Sequence, residues 1–155
     1  MQTMRSLEEI DIRELNGFLI GHASDAAAAT GCTVILSHAG ATAGVDVRGG
    51  GPASRELALL EPHNMIQAIH AVLLAGGSAY GLDAAAGVMA YLEEQDCGFD
   101  VGCGKVPIVC GAALFDLQVG ESSLRPNKEM GYAACLDAAS GLHAAENGNI
   151  GAGTG

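Results

Sequence analysis

LLAGGSAYGLDAAAGVMAYL, Leu73 to Leu92, is the stretch on which the reading of this sequence turns. It opens apolar, breaks at Gly76-Gly77-Ser78 and continues as an alanine-rich segment. The run that leads into it, Ile69 to Ala75 (IHAVLLA), is nearly all apolar, as a central strand buried on both faces is. After the break, Leu82, Ala85, Ala86, Met89 and Leu92 recur at spacings of three and four. That pattern predicts a helix from Ala79 to about Gln95 with one apolar stripe. Ser78 is the expected N-cap, Asp83 falls in the first turn, and Gly98 is the expected stop. The rest of the helix is mostly alanine until Glu93, so it is narrow and should be covered on more than one side. A strand feeding a glycine turn and a helix start can aim backbone N–H groups at an anion or oxyanion. The same arrangement also serves plain packing, and this stretch alone does not separate the two.

Downstream, Val106 to Leu117 (VPIVCGAALFDL) reads as an apolar strand with a bulge at Gly111. Asn127 caps a second helix over Lys128 to Ala139, and Gly141 ends it. The tail, Glu146 to Gly155 (ENGNIGAGTG), is dense in glycine and carries no regular element of its own. Upstream, Met1 to Leu15 is a short helix or leading arm, and Gly17 to His22 is a strand. Ser24 to Gly31 suits a hairpin turn, followed by a β-branched strand from Cys32 to Ser37. Ala43 to Val47 is expected as a third short strand, with Asp46 and Arg48 on one side. Arg48 to Arg55 is a glycine-proline loop. The sum is one domain, residues 1–155, of about five strands and two main helices, with sheet edges that need partners.

Composition excludes several classes. The 155 residues carry 18 acidic and 7 basic side chains, a formal charge of −11. A nucleic-acid binder needs a basic surface to release counterions, and an anionic membrane surface repels such a chain. No apolar run is long enough to span a bilayer, and the charged N-terminus lacks the core of a signal peptide. With five cysteines, an odd number, the expectation is a reduced, cytoplasmic protein.

The candidate chemistry is sparse. Cys97, Cys103 and Cys110 have five and six residues between them, wider than zinc pairs usually allow, so no metal site is expected. His70 sits in the apolar run and reads as a satisfied core residue. GGGPASR and GGSAYG lack the lysine of a phosphate loop. GNIGAG fits a loose dinucleotide fingerprint but has neither the strand before it nor the helix after it, so no cofactor is expected. Ser78 has no histidine near it in sequence and is better placed as a donor than as a nucleophile. Asp116, beside Phe115 at a strand end, is a functional candidate or a terminal charge, and Tyr80 lines a pocket or fills the core.

Seven segments in order then resemble one family, the L-aminopeptidase/D-amidase/D-esterases (DmpA-type peptidases). That family includes β-aminopeptidases and nylon-oligomer hydrolases. The segments are GCTVIL (Gly31 to Leu36), GVDVRGG (Gly44 to Gly50), and Arg55-Glu56 with Leu60-Glu61-Pro62. LAGGSAYGLDAAAG (Leu74 to Gly87) and VPIVCGAALFDL follow. The last two are Arg125-Pro126 with MGYAA (Met130 to Ala134), and GNIGAGTG (Gly148 to Gly155).

The resemblance implies a four-layer αββα sandwich similar to N-terminal-nucleophile hydrolases, of α/β (α+β) class. It implies a precursor that cuts itself, so that a Ser or Thr heading the β-chain becomes the nucleophile. This chain then corresponds to the α-portion. Its partners are the β-chain from the same precursor, a small peptide or amide substrate, and further copies in a homo-oligomer. No catalytic residue is expected on the chain itself. The expected pocket and oxyanion residues are Gly77, Ser78, Tyr80, Phe115, Asp116 and Asn149, with Gly155 as a processing site. The family's usual cut lies further downstream, and cleavage of an exposed glycine loop by another protease is the alternative at Gly155. Nylon-oligomer hydrolases carry an active-site tyrosine where this chain has Phe115, which has no hydroxyl and is left to shape the pocket. Two other functions stay open: a non-catalytic binding or assembly protein on the same fold, and an acyltransferase.

Overall fold

In the computed structural model, β1 (Leu19–Asp25) and β2 (Thr30–Ala41) form an antiparallel hairpin in which Asp25 pairs with Thr30. The structure describes residues 7, 9–144 and 146–155. The Asp25 carboxylate closes the hairpin turn by accepting from the N–H groups of Ala27 (3.1 Å) and Ala28 (2.9 Å). The chain continues through β3 (Ser54–Arg55) to β4 (Ile69–Ala75), α1 (Ala84–Glu94), β5 (Phe99–Asp100) and β6 (Lys105–Val106). It ends with β7 (Val109–Ala113) and α2 (Lys128–Ser140). Five strands make one mixed sheet in the order β1-β2-β4-β7-β3, and β5 and β6 pair separately. β4 runs antiparallel to β2 and parallel to β7, which brings the carboxyl ends of β4 and β7 side by side.

Both helices lie on one face of the sheet. Alternate residues of β2 (Cys32, Val34, Leu36) and β4 (Ala71, Leu73, Ala75) point into a core shared with Ala84, Ala85, Val88 and Leu92 of α1 and with Ala134, Cys135 and Ala138 of α2. The two helices touch through backbone. A Cβ on Gly87 would lie 1.9 Å from the Lys128 carbonyl oxygen, and one on Gly131 would lie 2.0 Å from that of Ala84. The narrow helix is therefore covered on more than one side, as its alanines predict.

The other face is mostly open, which corrects the expectation that β4 is buried on both. Leu74 is 39% exposed, and Val72 is only partly covered. A small second cluster of Ile69, Ile108 and Cys110, packed under Leu59, Leu60 and Ile66, shields one end. An unbroken apolar run signals two apolar faces, but it does not say that the same stretch of chain covers both.

Other boundaries also move. Ala43 to Val47 is not a strand. It pairs with no neighbour, and β propensity forms a strand only where a ladder receives it. Asp46 and Arg48 still share a side, their side chains 2.6 Å apart. The short strand instead falls in the expected loop, as β3. The α-helix starts at Ala84, after a 3-10 run over Ser78–Asp83, and Ser78 makes no side-chain cap. Its stop is Asp96 rather than Gly98. Asp96 takes φ 53°, and the Asp96 and Cys97 N–H groups bond back to Glu93 and Leu92, the two bonds of a Schellman turn. Val106 to Leu117 divides into β6 and β7, which ends at Ala113, and no bulge occurs at Gly111, which keeps register with Leu73 and Arg55. Ala86 of the expected stripe is exposed. The second helix follows its signals: Asn127 accepts from the Met130 N–H at 3.0 Å, and Gly141 turns left-handed at φ 68°. The part of Met1 to Leu15 that the structure describes forms a 3-10 turn, Ile12–Glu14, and residues 1–6 and 8 lie outside the described residues. The tail makes a 3-10 turn, Gly151–Gly153, where no element was expected.

Candidate active site

The glycine turn lies at the carboxyl end of β4, next to the residues that leave β7. Leu114 N–H donates to the Ala75 carbonyl (2.7 Å), and Ser78 N–H donates to the Leu114 carbonyl (2.9 Å). This lacing turns Asp116 back over the glycines. Its Oδ1 accepts from the Gly77 N–H (2.5 Å), and its Oδ2 accepts from the Thr30 hydroxyl (2.7 Å). Asp116 is 8% exposed, and no Lys or Arg forms an ion pair with it among the described residues. A buried carboxyl group needs such partners, because an unsatisfied polar group away from water is costly.

The turn is glycine for two separate reasons. Gly77 takes φ 79°, where a side chain is strained. A Cβ on Gly76 would lie 2.0 Å from Asp116 Oδ2. Ser78, at φ 54°, holds a strained conformation without being glycine.

The geometry corrects one expectation. Gly76 N–H donates to the Gly31 carbonyl (2.8 Å), Gly77 N–H to Asp116 and Ser78 N–H to Leu114. All three donors are used within the chain, so the turn holds Asp116 instead of offering N–H groups to an oxyanion.

The tail docks beside this cluster. Gly151 N–H donates to Ser24 Oγ (2.7 Å), and Ala152 N–H donates to Thr33 Oγ1 (3.1 Å). Gly155 then lies against Asp116: a Cβ there would be 2.9 Å from the Asp116 Cβ. Gly77, Ser78, Asp116 and Gly155 are thus brought together. Phe115 stands beside them, 67% exposed. Tyr80 is also outside the core, 63% exposed, with the Arg125 guanidinium 4.2 Å above its ring. Asn149 is exposed at the centre of a three-residue turn closed by the Ile150 N–H on the Gly148 carbonyl.

Sequence reasoning missed Thr30 and Arg125. Thr30 is 86 positions from the carboxylate it serves, and nothing in its neighbourhood signals that. Arg125 stood in a quoted motif, and its charge in so acidic a chain was the available signal.

The other candidates stay outside this cluster. A groove of about 540 Å³ on the open sheet face is lined by Val45, Val72, Leu74 and Ala112, and it contains none of the expected site residues. It is apolar, and its one acid and one base, Asp46 and Arg48, pair with each other. It lies apart from the Asp116 cluster. Burial pushes the Cys32 and Cys135 thiols up to about 12, so neither is a nucleophile. His70 is a satisfied core residue: it is 8% exposed, its Nδ1 accepts from the Ile108 N–H (3.2 Å), and burial lowers its pKa. Among the described residues no three His, Cys, Asp or Glu side chains converge as metal ligands. No described helix is long and apolar enough to cross a membrane.

Residues 11–155 match the model of peptidase family S58. The chain is 46% identical, over 93% of its length, to an uncharacterized aminopeptidase of Mycobacterium leprae, and covers 43% of that protein. It is 35% identical, over 76% of its length, to a 6-aminohexanoate-oligomer endohydrolase of Kocuria sp., covering 31% of it. The chain thus spans less than half the length of these relatives. A β-aminopeptidase of Burkholderia sp. has a similar fold: the TM-score is 0.58 at 21% identity, over 94% of this chain and 42% of that one.

Proposed function

We propose that this chain, which belongs to peptidase family S58, is the amino-terminal part of an amide-bond hydrolase of aminopeptidase or amidase type. The observation that carries this reading is the buried Asp116, held by Gly77 and Thr30 at the adjoining ends of two parallel strands within a family of peptidases. In open parallel α/β sheets ligands sit beyond the carboxyl ends of the strands, and β4 and β7 are the one parallel pair of this sheet among the described residues.

In this reading the nucleophile is a Ser or Thr freed at the head of a downstream segment by self-cleavage. Its hydroxyl attacks the amide carbonyl, and its own amine takes the proton. The leaving amine departs with that proton, and water then hydrolyses the ester. The donors for the oxyanion come from the downstream segment, because those of Gly76 to Ser78 are occupied. Asp116 fixes the turn, and Ser78, Tyr80 and Phe115 face the substrate once the downstream segment completes the pocket. The downstream segment also supplies the second sheet of an αββα sandwich over the open face at Leu74, and the units assemble as a homo-oligomer.

The test is made on the complete gene product. Asp116→Asn is expected to lower kcat/KM for a peptide or amide substrate by about a hundredfold, and Ser78→Ala by less. Unchanged turnover in both would remove these residues from the site. Intact mass and N-terminal sequencing decide the rest. A second fragment headed by Ser or Thr supports self-processing and locates the cut, next to Gly155 or further on. A single uncut chain without turnover points instead to a binding protein on this fold, and amine-dependent product formation to an acyltransferase.

A further inference from the structure

We propose that Arg125, laid over Tyr80, is a subsite for the free carboxylate of an acid-terminated substrate. This rests on the reading of the chain as part of an amide hydrolase and narrows its substrate class.

Four observations converge. The first is charge. Arg13, Arg48, Arg55 and Lys105 each have a carboxylate within 3.9 Å, whereas Arg125 and Lys128 have none among the described residues. In a chain with 18 acidic residues, Arg125 and Lys128, without an ion pair among the described residues, lie three positions apart at the entrance to α2. The second is hydrogen bonding. The Arg125 guanidinium makes one long bond, to the Ser122 carbonyl at 3.3 Å, which leaves most of its donors free.

The third is orientation. The guanidinium carbon lies 4.2 Å from the Tyr80 ring centroid, a contact that restrains the group and does not use up its N–H donors for hydrogen bonds. Its stem is fixed as well. A Cβ on Gly77 would be 3.1 Å from the Arg125 Cβ, so the arginine is seated on the same turn that holds Asp116. The fourth is space. Tyr80, Asp83, Ser123, Arg125 and Asn127 line a pocket of about 380 Å³. Its acid, Asp83, accepts from the Lys128 N–H at 3.2 Å and is thereby turned toward the start of α2. A carboxylate matches the guanidinium fork with two parallel N–H···O bonds.

The experiment compares trialanine with trialanine amide as substrates of the complete protein. Arg125→Gln keeps most of the stem and removes the fork. It is expected to lower kcat/KM for the acid about tenfold to a hundredfold, and for the amide far less. Arg125→Lys should restore part of the preference, since it keeps the charge without the fork. Tyr80→Leu, which removes the support beneath the guanidinium, should give a smaller loss with the same acid-over-amide bias. Equal losses on both substrates, or no loss on either, overturn the subsite. If the wild-type protein cleaves neither peptide, the hydrolase reading fails separately. The subsite is then decided by calorimetric titration with N-acetyl-trialanine and its amide. Tighter binding of the acid that disappears in Arg125→Gln upholds it, and equal or absent binding of the two overturns it.

Discussion

Asp116 shows how much one buried charge asks of its surroundings. Its two oxygens take one hydroxyl and one backbone N–H, and Gly76 and Gly155 press against it from two sides. Thr30→Val leaves Oδ2 without its donor and should cost about 1.5–3 kcal/mol of stability in urea unfolding, the usual worth of a hydrogen bond to a charged group. A smaller loss than Ser24→Ala, which removes only a surface anchor of the tail, would mean that the hydroxyl does not hold the charge. His143 gives a pH-dependent case. Its Nδ1 meets Asp137 Oδ1, whose other oxygen accepts from the His22 N–H at 2.9 Å. The hydrogen bond and charge of Asp137 raise the His143 pKa above the ordinary histidine value. The protonated ring is favoured in the folded state, so its stabilisation is complete below about pH 6.5 and is lost as pH rises through the raised folded value. The unfolding midpoint should therefore fall as pH rises above about 6.5, and His143→Gln should flatten that fall. Of the site residues, Asp116 could be picked from sequence because an acid ending an apolar run is conspicuous. Thr30 could not, because its role exists only across the sheet.

At the scale of elements, the contact between α1 and α2 is the tightest commitment. Gly87→Ala would set a methyl 1.9 Å from the Lys128 carbonyl oxygen. Backbone cannot rotate away as a side chain can, so the helices must separate, at about 1–3 kcal/mol. Ala86→Ser, one residue earlier but exposed, should change stability by less than about 0.5 kcal/mol. Similar unfolding midpoints for the two variants would show that the helices part freely. α2 was legible nearly to the residue because cap, helix formers and terminal glycine all act locally. The start of α1 was not. The lacing of Ser78 to Leu114 holds Ser78–Asp83 in a 3-10 run, and Leu114 is remote in sequence.

Over the whole molecule, the sheet has one committed face and one open face. Leu73 is fully buried under the helices and Leu74, its neighbour, is 39% exposed. In this chain Leu73→Ala should cost about 2–5 kcal/mol, and Leu74→Ala well under half of that. In the complete protein the two costs should approach each other if a second sheet covers Leu74, and the comparison is read from denaturation midpoints. Order and type of the main elements, the hairpin, the second helix and the family were all present in the sequence, because periodicity, caps and turn residues depend on neighbours a few positions away. The sequence by itself also marked both faces of β4 as apolar. Only the tertiary structure decided which face the helices take, that the glycine turn spends its donors on Asp116, and that Arg125 rests on Tyr80 without a carboxylate. Those outcomes depend on contacts between residues tens of positions apart, which the fold alone brings within bonding distance.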